Sequence, residues 1–365
     1  MDQTHLIVGN SDDYHAVAVK WCLNQLQQDV LIWDGIGAED GARISIVPST
    51  PDNAIRLGSS VFNSFPSVWY RRVVRFKKFK NVMEHTKSFL ERELRESHSS
   101  LVAMIDDAAK FIVCGHGMHA AYSKALQLKL AKKMGFLVPE TLISNDYDQV
   151  KSFVNAHKNV VVKHFVPHYW NSETSKTTRI VSTTILDDIF RVPQSSVEVC
   201  PSIYQQLIQK KYEMRVTVIG EKIFTAKIEK VGGGSFLDWR MNFGTKDFKI
   251  SPFELNNSLS GAIVKYVRAL GLHYGCLDLV VDKDNNVWFL EVNPTGQFLF
   301  VEQEIPEYKI LRQFSEMLIS GSYAQRGGST ADLSTSAFEA SETYREFRKQ
   351  AGALETGQNL LTELA

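Results

Sequence analysis

The stretch Tyr274-Gly-Cys-Leu-Asp278-Leu-Val-Val-Asp282-Lys-Asp-Asn-Asn286-Val-Trp-Phe-Leu-Glu291-Val-Asn293-Pro294 decides how this chain is read. It divides into two apolar strands, Cys276–Val281 and Val287–Val292, joined by the polar turn Asp282–Asn286. A turn centred between Asp284 and Asn285 sets Asp278 directly opposite Glu291. Side chains alternate along a strand, so Glu291 and Asn293 share a face. Two carboxylates and an amide oxygen therefore converge, a hard oxygen set that suits Mg²⁺ when water and phosphate complete the shell. The plain alternative is a surface hairpin whose acids face water. Against it, Glu291 is embedded in Trp288-Phe-Leu-Glu-Val, a run expected to be buried and a poor place for an unpaired carboxylate.

Working outward, the chain has 365 residues, 44% of them hydrophobic and 22% charged, which suits two or three packed subdomains of an ordinary globular protein. Lys+Arg and Asp+Glu number 41 each, so no global charge favours nucleic acid or a membrane. Cys22, Cys114, Cys200 and Cys276 are far apart, with the spacing of buried thiols in a reducing compartment. No signal-like segment opens the chain and no apolar run approaches a membrane span, so the expected location is the cytoplasm.

The N-terminal part opens as β-α-β: a strand at His5–Gly9, a helix at Tyr14–Gln27 and a strand at Val30–Trp33. Ser67–Arg72 is a strand ending in a basic pair, and residues about 76–108 are charged and helical. A helix at Ser123–Met134 carries Leu126, Leu130 and Met134 on one stripe and ends at Gly135. Strands follow at Asn159–Lys163, Ser202–Ile208, Glu213–Ile219 and Lys222–Ile228, and a helix at Leu255–Leu270 precedes the opening hairpin. The expected division is an α/β domain over 1–120, a central α+β subdomain over 121–200, a C-terminal lobe over 201–322, and a linker with a loosely attached helical tail over 323–365.

Several other positions bear on chemistry, each ambiguous alone. Lys163 closes a strand, and Lys124 opens a helix; both could simply reach solvent, or reach a phosphate as point charges. Tyr204-Gln-Gln206-Leu207-Ile208 could offer a strand edge to a base, and Glu213 and Arg215 project the same way from the next strand. A cross-strand ion pair on an exposed face explains that last pair equally well. Val231-Gly-Gly-Gly234 is either a phosphate-wrapping or a merely mobile loop, and lacks the Gly-Lys-Ser/Thr ending of a Walker A loop. His116-Gly-Met-His119 lacks the acid of a zinc helix and reads as structural.

The hairpin ending in Leu-Glu-Val-Asn-Pro resembles the metal-binding signature of ATP-grasp ligases. Five ordered motifs are similar to those of the microviridin-type graspetide synthetases: Trp69-Tyr-Arg-Arg72, the segment from Ser123-Lys124 to Asn145, the hinge from Pro201 to Gly220, Asp238-Trp-Arg240, and Leu290-Glu-Val-Asn-Pro-Thr-Gly-Gln297. The resemblance covers roughly residues 1–320. It implies an ATP-grasp fold with an N-terminal α/β domain, a central domain and a C-terminal lobe. It also implies an ATP- and Mg²⁺-dependent enzyme that activates Asp or Glu side chains of a ribosomal precursor peptide as acyl phosphates. Ester or amide cross-links to Ser, Thr or Lys would follow. Carried residue by residue, Lys124 and Lys163 would hold the α/β-phosphates, Gln206, Leu207 and Ile208 the adenine, and Glu213 the ribose. Asp278, Glu291 and Asn293 would hold Mg²⁺, with Arg215 and Arg240 facing the transferred phosphate. Asp187 and Asp188 fall near where such enzymes bind a leader peptide, and a homodimer is the family expectation. Departures are Ser123 in place of the usual asparagine, Gln206 where Glu is frequent, and no glycine in residues 164–184. A ligase joining an amino acid or small amine to a carboxylate is the alternative within the fold, and a non-catalytic peptide-binding scaffold is the alternative outside it.

Overall fold

The computed structural model describes residues 3–36, 43–48, 54–71, 82–115, 119–157, 159–165, 168–171, 178–181, 183–186, 188–234, 236–239, 246–322 and 332–354. The N-terminal sheet is parallel, in the order β2-β1-β6-β7, built from β1 (His5–Val8), β2 (Val30–Trp33), β6 (Val68–Tyr70) and β7 (Ile112–Val113). Every residue of β1 is buried: Leu6–Val8 form the apolar run of a sheet covered on both faces, and His5 is satisfied by the Ser67 hydroxyl at 2.7 Å. Helices α1 (Tyr14–Gln25) and α2 (Glu84–Ala108) connect these strands. Between them β3 (Ile44–Ile46), β4 (Ile55–Leu57) and β5 (Ser60–Phe62) form a small antiparallel meander that the sequence reading passes over. Each of those strands is three residues long, too short for period-two patterning to register.

After α3 (His119–Tyr122) and α4 (Lys124–Lys133), the central unit is a sheet in the order β12-β9-β13-β8, comprising β8 (Thr141–Ser144), β9 (Val160–Lys163), β12 (Thr184–Leu186) and β13 (Ser202–Gln206). It carries α5 (Tyr147–Ala156) and α6 (Gln194–Glu198), and β10 (His168–Asn171) and β11 (Thr178–Val181) form a separate hairpin. Sheet membership takes the central unit to Gln206, past the expected end at 200, because β13 pairs with both β8 and β9.

The C-terminal lobe is a five-stranded antiparallel sheet, β16-β15-β14-β17-β18, made of β14 (Lys210–Ile219), β15 (Lys222–Lys230), β16 (Phe248–Pro252), β17 (Tyr274–Asp282) and β18 (Val287–Asn293). One face packs Met214, Val216, Leu277, Leu279, Phe289 and Val292 against α7 (Asn257–Ala269) through Ile263, Tyr266 and Val267. The other face joins the N-terminal core at one end, where Ile219, Ala226, Tyr274 and Cys276 meet α9 (Ile310–Ser320), which follows α8 (Leu299–Glu304). Trp69 of β6 meets Phe314 of α9 edge to face, ring centroids 4.7 Å apart, so the first domain and the C-terminal lobe share one core.

Two expectations are corrected here. The tail does not hang loosely: α10 (Thr335–Glu339) and α11 (Glu342–Leu354) close over α1, with Leu333, Phe338 and Phe347 buried. Tyr14 meets the rings of Phe338, Tyr344 and Phe347, and its hydroxyl donates to Glu339 at 2.6 Å. The Gly/Ser/Thr-rich linker composition ahead of these helices masked Leu333, Phe338 and Phe347, three apolar anchors spread through the tail. Second, Cys200 is exposed, unlike Cys22, Cys114 and Cys276, because it follows the short α6 at the rim of the central unit.

Candidate functional site

Asp278 and Glu291 are cross-strand partners, as the hairpin's symmetry predicts, but by a different route. From the turn outward Val281 pairs with Val287 and Leu279 with Phe289, a register centred on Asp284. Leu290 is then bulged out, and beyond it Asp278 pairs with Glu291, Leu277 with Val292 and Cys276 with Asn293. The extra residue resets side-chain parity. Without it, Glu291 would follow Phe289 into the α7 core; with it, Val292 takes that place and Glu291 turns to the Asp278 face.

Two neighbours hold the bulged edge. Phe289 N–H donates to Leu137 O at 2.8 Å, and the Gln127 side chain of α4 brackets Val292, accepting from its N–H at 3.1 Å and donating to its carbonyl at 2.9 Å. Gln127 also donates to Ala121 O at 2.6 Å and is buried. The apolar stripe expected on α4 is corrected in part: Leu130 and Met134 pack against the α7 core, but Leu126 is exposed and the fully buried positions are Gln127 and Ala131. An amide can occupy that face because a sheet edge offers it a matched donor and acceptor. Ser123 caps the helix, accepting from Leu126 N–H. Lys124, one turn before Gln127, then rests on Glu291 at 3.0 Å. The carboxylate that looked unpaired in the sequence has a lysine beside it.

Asp278 is met from β14. Arg215 lies opposite it in register and donates through Nη1 at 2.8 Å, while Nη2 donates to Gln297 O at 3.0 Å. The ion pair is cross-strand, but its face is buried: the two side chains are 9% and 16% exposed. Burial works against the guanidinium charge, yet Asp278 with its hydrogen bond outweighs this and holds Arg215 above its ordinary pKa. Glu213, two residues earlier on the same face, forms a buried ion pair with Lys210, whose ammonium also donates to Leu237 O at 2.5 Å and covers the Phe236 ring at 4.4 Å.

Beyond β18 the chain turns back through Pro294-Thr-Gly-Gln297. Asn293 Oδ1 accepts from Thr295 N–H at 3.0 Å and from the Thr295 hydroxyl at 3.4 Å, which fixes the amide orientation. Gly296 O accepts from the buried Tyr274 hydroxyl at 2.5 Å. A Cβ on Gly296 would stand 2.5 Å from Cys276 Cβ and 2.9 Å from Arg215 Nη2, so only glycine lets the loop lie against Arg215. Among the described residues no group of three His, Cys, Asp or Glu converges. Asp278, Glu291 and Asn293 bring two carboxylates and one amide to one face of the hairpin, oxygen donors of the kind that could hold Mg²⁺ with phosphate oxygens completing the shell.

The remaining predicted positions lie elsewhere. Lys163 ends β9 on the four-stranded sheet, donating to Gln205 Oε1 at 2.7 Å. The strand edge expected at Gln206–Ile208 is corrected: β13 is interior, and the N–H groups of Gln206 and Leu207 bond Glu140 O at 2.9 Å and Asn159 O at 3.0 Å. Ile208, past the strand, is the first of the three whose N–H makes no backbone hydrogen bond among the described residues. It lies in the link between the two sheets. Gly232, Gly233 and Gly234 all adopt positive φ (78°, 77° and 98°) in the exposed loop after β15. That loop leads to Asp238 and Trp239, and Trp239 is buried against Phe300 of α8, ring centroids 5.4 Å apart. Arg240 and Asp187 lie outside the described residues, as do His116 and Arg72. Asp188 caps the turn Ile189–Arg191 through Phe190 N–H at 2.9 Å, and Lys151 covers the exposed Phe190 ring at 4.9 Å. Sequence reasoning missed Gln127 and Tyr274; a polar residue inside the apolar face of α4 was the available signal for the first.

Over residues 121–307 the chain matches the model of the RimK-like ATP-grasp domain, just over half of its length. In structure it is similar to the macrocyclase MdnC from Microcystis aeruginosa MRC, solved bound with precursor peptide MdnA: 25% identity, TM-score 0.73, 87% of this chain and 100% of that one. It is also similar to the RiPP-associated ATP-grasp ligase of Chryseobacterium gregarium, solved with ADP and a leader and core peptide (20%, 0.76, 90% and 100%). A third likeness is to the ATP-grasp ligase PsnB complexed with minimal precursor, Mg and ADP (18%, 0.67, 88% and 99%). No curated protein matches the sequence.

Proposed function

Because the chain belongs to the RimK-like ATP-grasp family, we propose that it is an ATP-dependent peptide macrocyclase. Its substrate on this reading is a ribosomal precursor peptide with a leader and a core bearing Asp or Glu and Ser, Thr or Lys. The observation that carries the reading is the paired acid face Asp278–Glu291, with Arg215 and Lys124 against it, inside a fold shared at 25% identity with a precursor-bound macrocyclase. A core carboxylate oxygen displaces ADP from the γ-phosphorus of ATP. The acceptor oxygen or nitrogen then displaces phosphate from the acyl carbon and loses its proton, so each cross-link removes one water.

No protein nucleophile is needed, and the residues act by position and charge. Asp278, Glu291 and Asn293 would hold Mg²⁺, which when bound would supply positive charge to the phosphate oxygens. Arg215 orients Asp278, Lys124 balances Glu291, and Arg240 faces the transferred phosphate. Lys163 holds nucleotide phosphate, Ile208 reads the adenine and Glu213 the ribose. The Phe190 turn next to Asp187 and Asp188 receives the leader, and the enzyme works as a cytoplasmic homodimer.

The test is intact-mass spectrometry of a leader-and-core peptide encoded beside this gene, after incubation with the protein, ATP and Mg²⁺. Losses of one water per cross-link, absent without ATP, are the expected result. A gain of mass would replace the reading with a ligase that adds a small amine. An unchanged but bound peptide would replace it with a scaffold.

A further inference from the structure

The loop that follows β18 is gripped from outside its own lobe. Four backbone groups between Pro294 and Leu299 are held by three buried side chains of the N-terminal domain. Cys114 Sγ donates to Pro294 O at 2.6 Å, Arg71 Nη1 donates to Thr295 O at 2.6 Å, and His15 Nε2 accepts from Phe298 N–H at 3.0 Å and Leu299 N–H at 3.2 Å. His15 therefore carries its proton on Nδ1. Cys114 reaches its carbonyl from a positive φ of 63°, uncommon for a residue with a side chain.

Arg71 is the centre of the grip. It is 1% exposed, and its Nε is 3.1 Å from Asp13, the N-cap of α1. Its Nη2 is buried with no hydrogen-bond partner among the described residues. Burying an incompletely satisfied guanidinium costs free energy that an apolar side chain of similar volume would not. Packing alone gives no reason for it. What Arg71 does secure is Thr295, whose carbonyl it holds while the Thr295 N–H fixes Asn293 Oδ1 at 3.0 Å. A continuous relay thus runs from the cap of α1 to the amide oxygen beside Glu291: Asp13, Arg71, Thr295, Asn293.

We propose that Arg71 is a positioning residue for the cation site, and that the N-terminal domain acts through it as a clamp on Asn293. This rests on the reading of Asp278, Glu291 and Asn293 as the Mg²⁺ ligands. The tail strengthens the clamp from behind, since Tyr14, between Asp13 and His15, is fixed by Glu339, Phe338 and Phe347.

The test is the calorimetric affinity for ADP with and without Mg²⁺, in wild type, Arg71→Lys and Glu291→Gln, with thermal unfolding of each. Lysine keeps a charge near Asp13 but cannot serve Asp13 and Thr295 with a rigid fork. Arg71→Lys is expected to bind metal-free ADP as wild type does and to lose about ten-fold or more of the gain that Mg²⁺ confers, the usual cost of losing an outer partner of a metal ligand. A full Mg²⁺ gain in Arg71→Lys beside a lost gain in Glu291→Gln overturns the clamp alone. A full gain in Glu291→Gln overturns the ligand reading on which it rests. Should Arg71→Lys prove unstable, Cys114→Ala reads the same clamp with no buried charge at stake: a reduced gain upholds it and an unchanged gain overturns it.

Discussion

Asp278 and Glu291 sit on the same face of one hairpin, yet their surroundings differ enough to separate the effects of changing each. Asp278 is locked to a buried Arg215, so Asp278→Ala strands that guanidinium and is expected to cost about 3–5 kcal/mol of stability as well as turnover. Glu291 pairs with a lysine, each side chain about a third exposed, so Glu291→Gln should abolish turnover while leaving the urea midpoint close to wild type. Retained turnover at saturating Mg²⁺ in either variant would remove that residue from the ligand set. Gly296 offers a third case at this scale. An added methyl must push Cys276 or Arg215 aside, so Gly296→Ala is expected to destabilise by about 1–3 kcal/mol. Denaturant unfolding beside nucleotide affinity would show whether the displaced Arg215 also disturbs the site.

At the scale of elements, the hairpin and α4 form one unit. The bulge at Leu290 turns Glu291 toward Asp278, and Gln127 holds the edge on which that bulge depends. Gln127→Met keeps the volume but orphans the N–H and carbonyl of Val292, about 1–3 kcal/mol for each group left unsatisfied. It should also let Lys124 drift from Glu291, because both side chains ride on the same turn of α4. The measurable outcome is a lower unfolding midpoint together with weaker Mg²⁺-dependent ADP binding. A change in stability with no change in binding would show that α4 supports the sheet and not the site.

For the molecule as a whole, the tail is the element whose weight differs most from expectation. Phe338 is fully buried against Tyr14 and Trp21, and Glu302, also buried, accepts from the N–H groups of both Leu311 and Thr335. Phe338→Ala is therefore expected to lower the unfolding free energy by about 3–5 kcal/mol. A loosely attached helix would give a change within about 0.5 kcal/mol. Urea denaturation of the full chain distinguishes the two. The three structural neighbours compared are covered over 99–100% of their own length by 87–90% of this chain, so about a tenth of it is additional. A tail of 43 residues (323–365) is close to that size.

The hairpin, the opening β-α-β, the strand-dense middle and the pairing of Asp278 with Glu291 were legible in the sequence, because alternation and turn residues are local properties that act within a few residues. The same holds for the shared face of Glu213 and Arg215. What tertiary structure alone decided was where charges and carbonyls find partners. Lys124 reaches Glu291 across 167 positions, Gln127 brackets Val292 across 165, and Arg71 reaches Thr295 across 224. No periodicity encodes such pairs, since they depend on which surfaces the packed domains bring together. The bulge shows the boundary between the two. Local symmetry predicted the right partner for Glu291, but the parity that turns it out of the core comes from one extra residue, held in place by a helix from elsewhere in the chain.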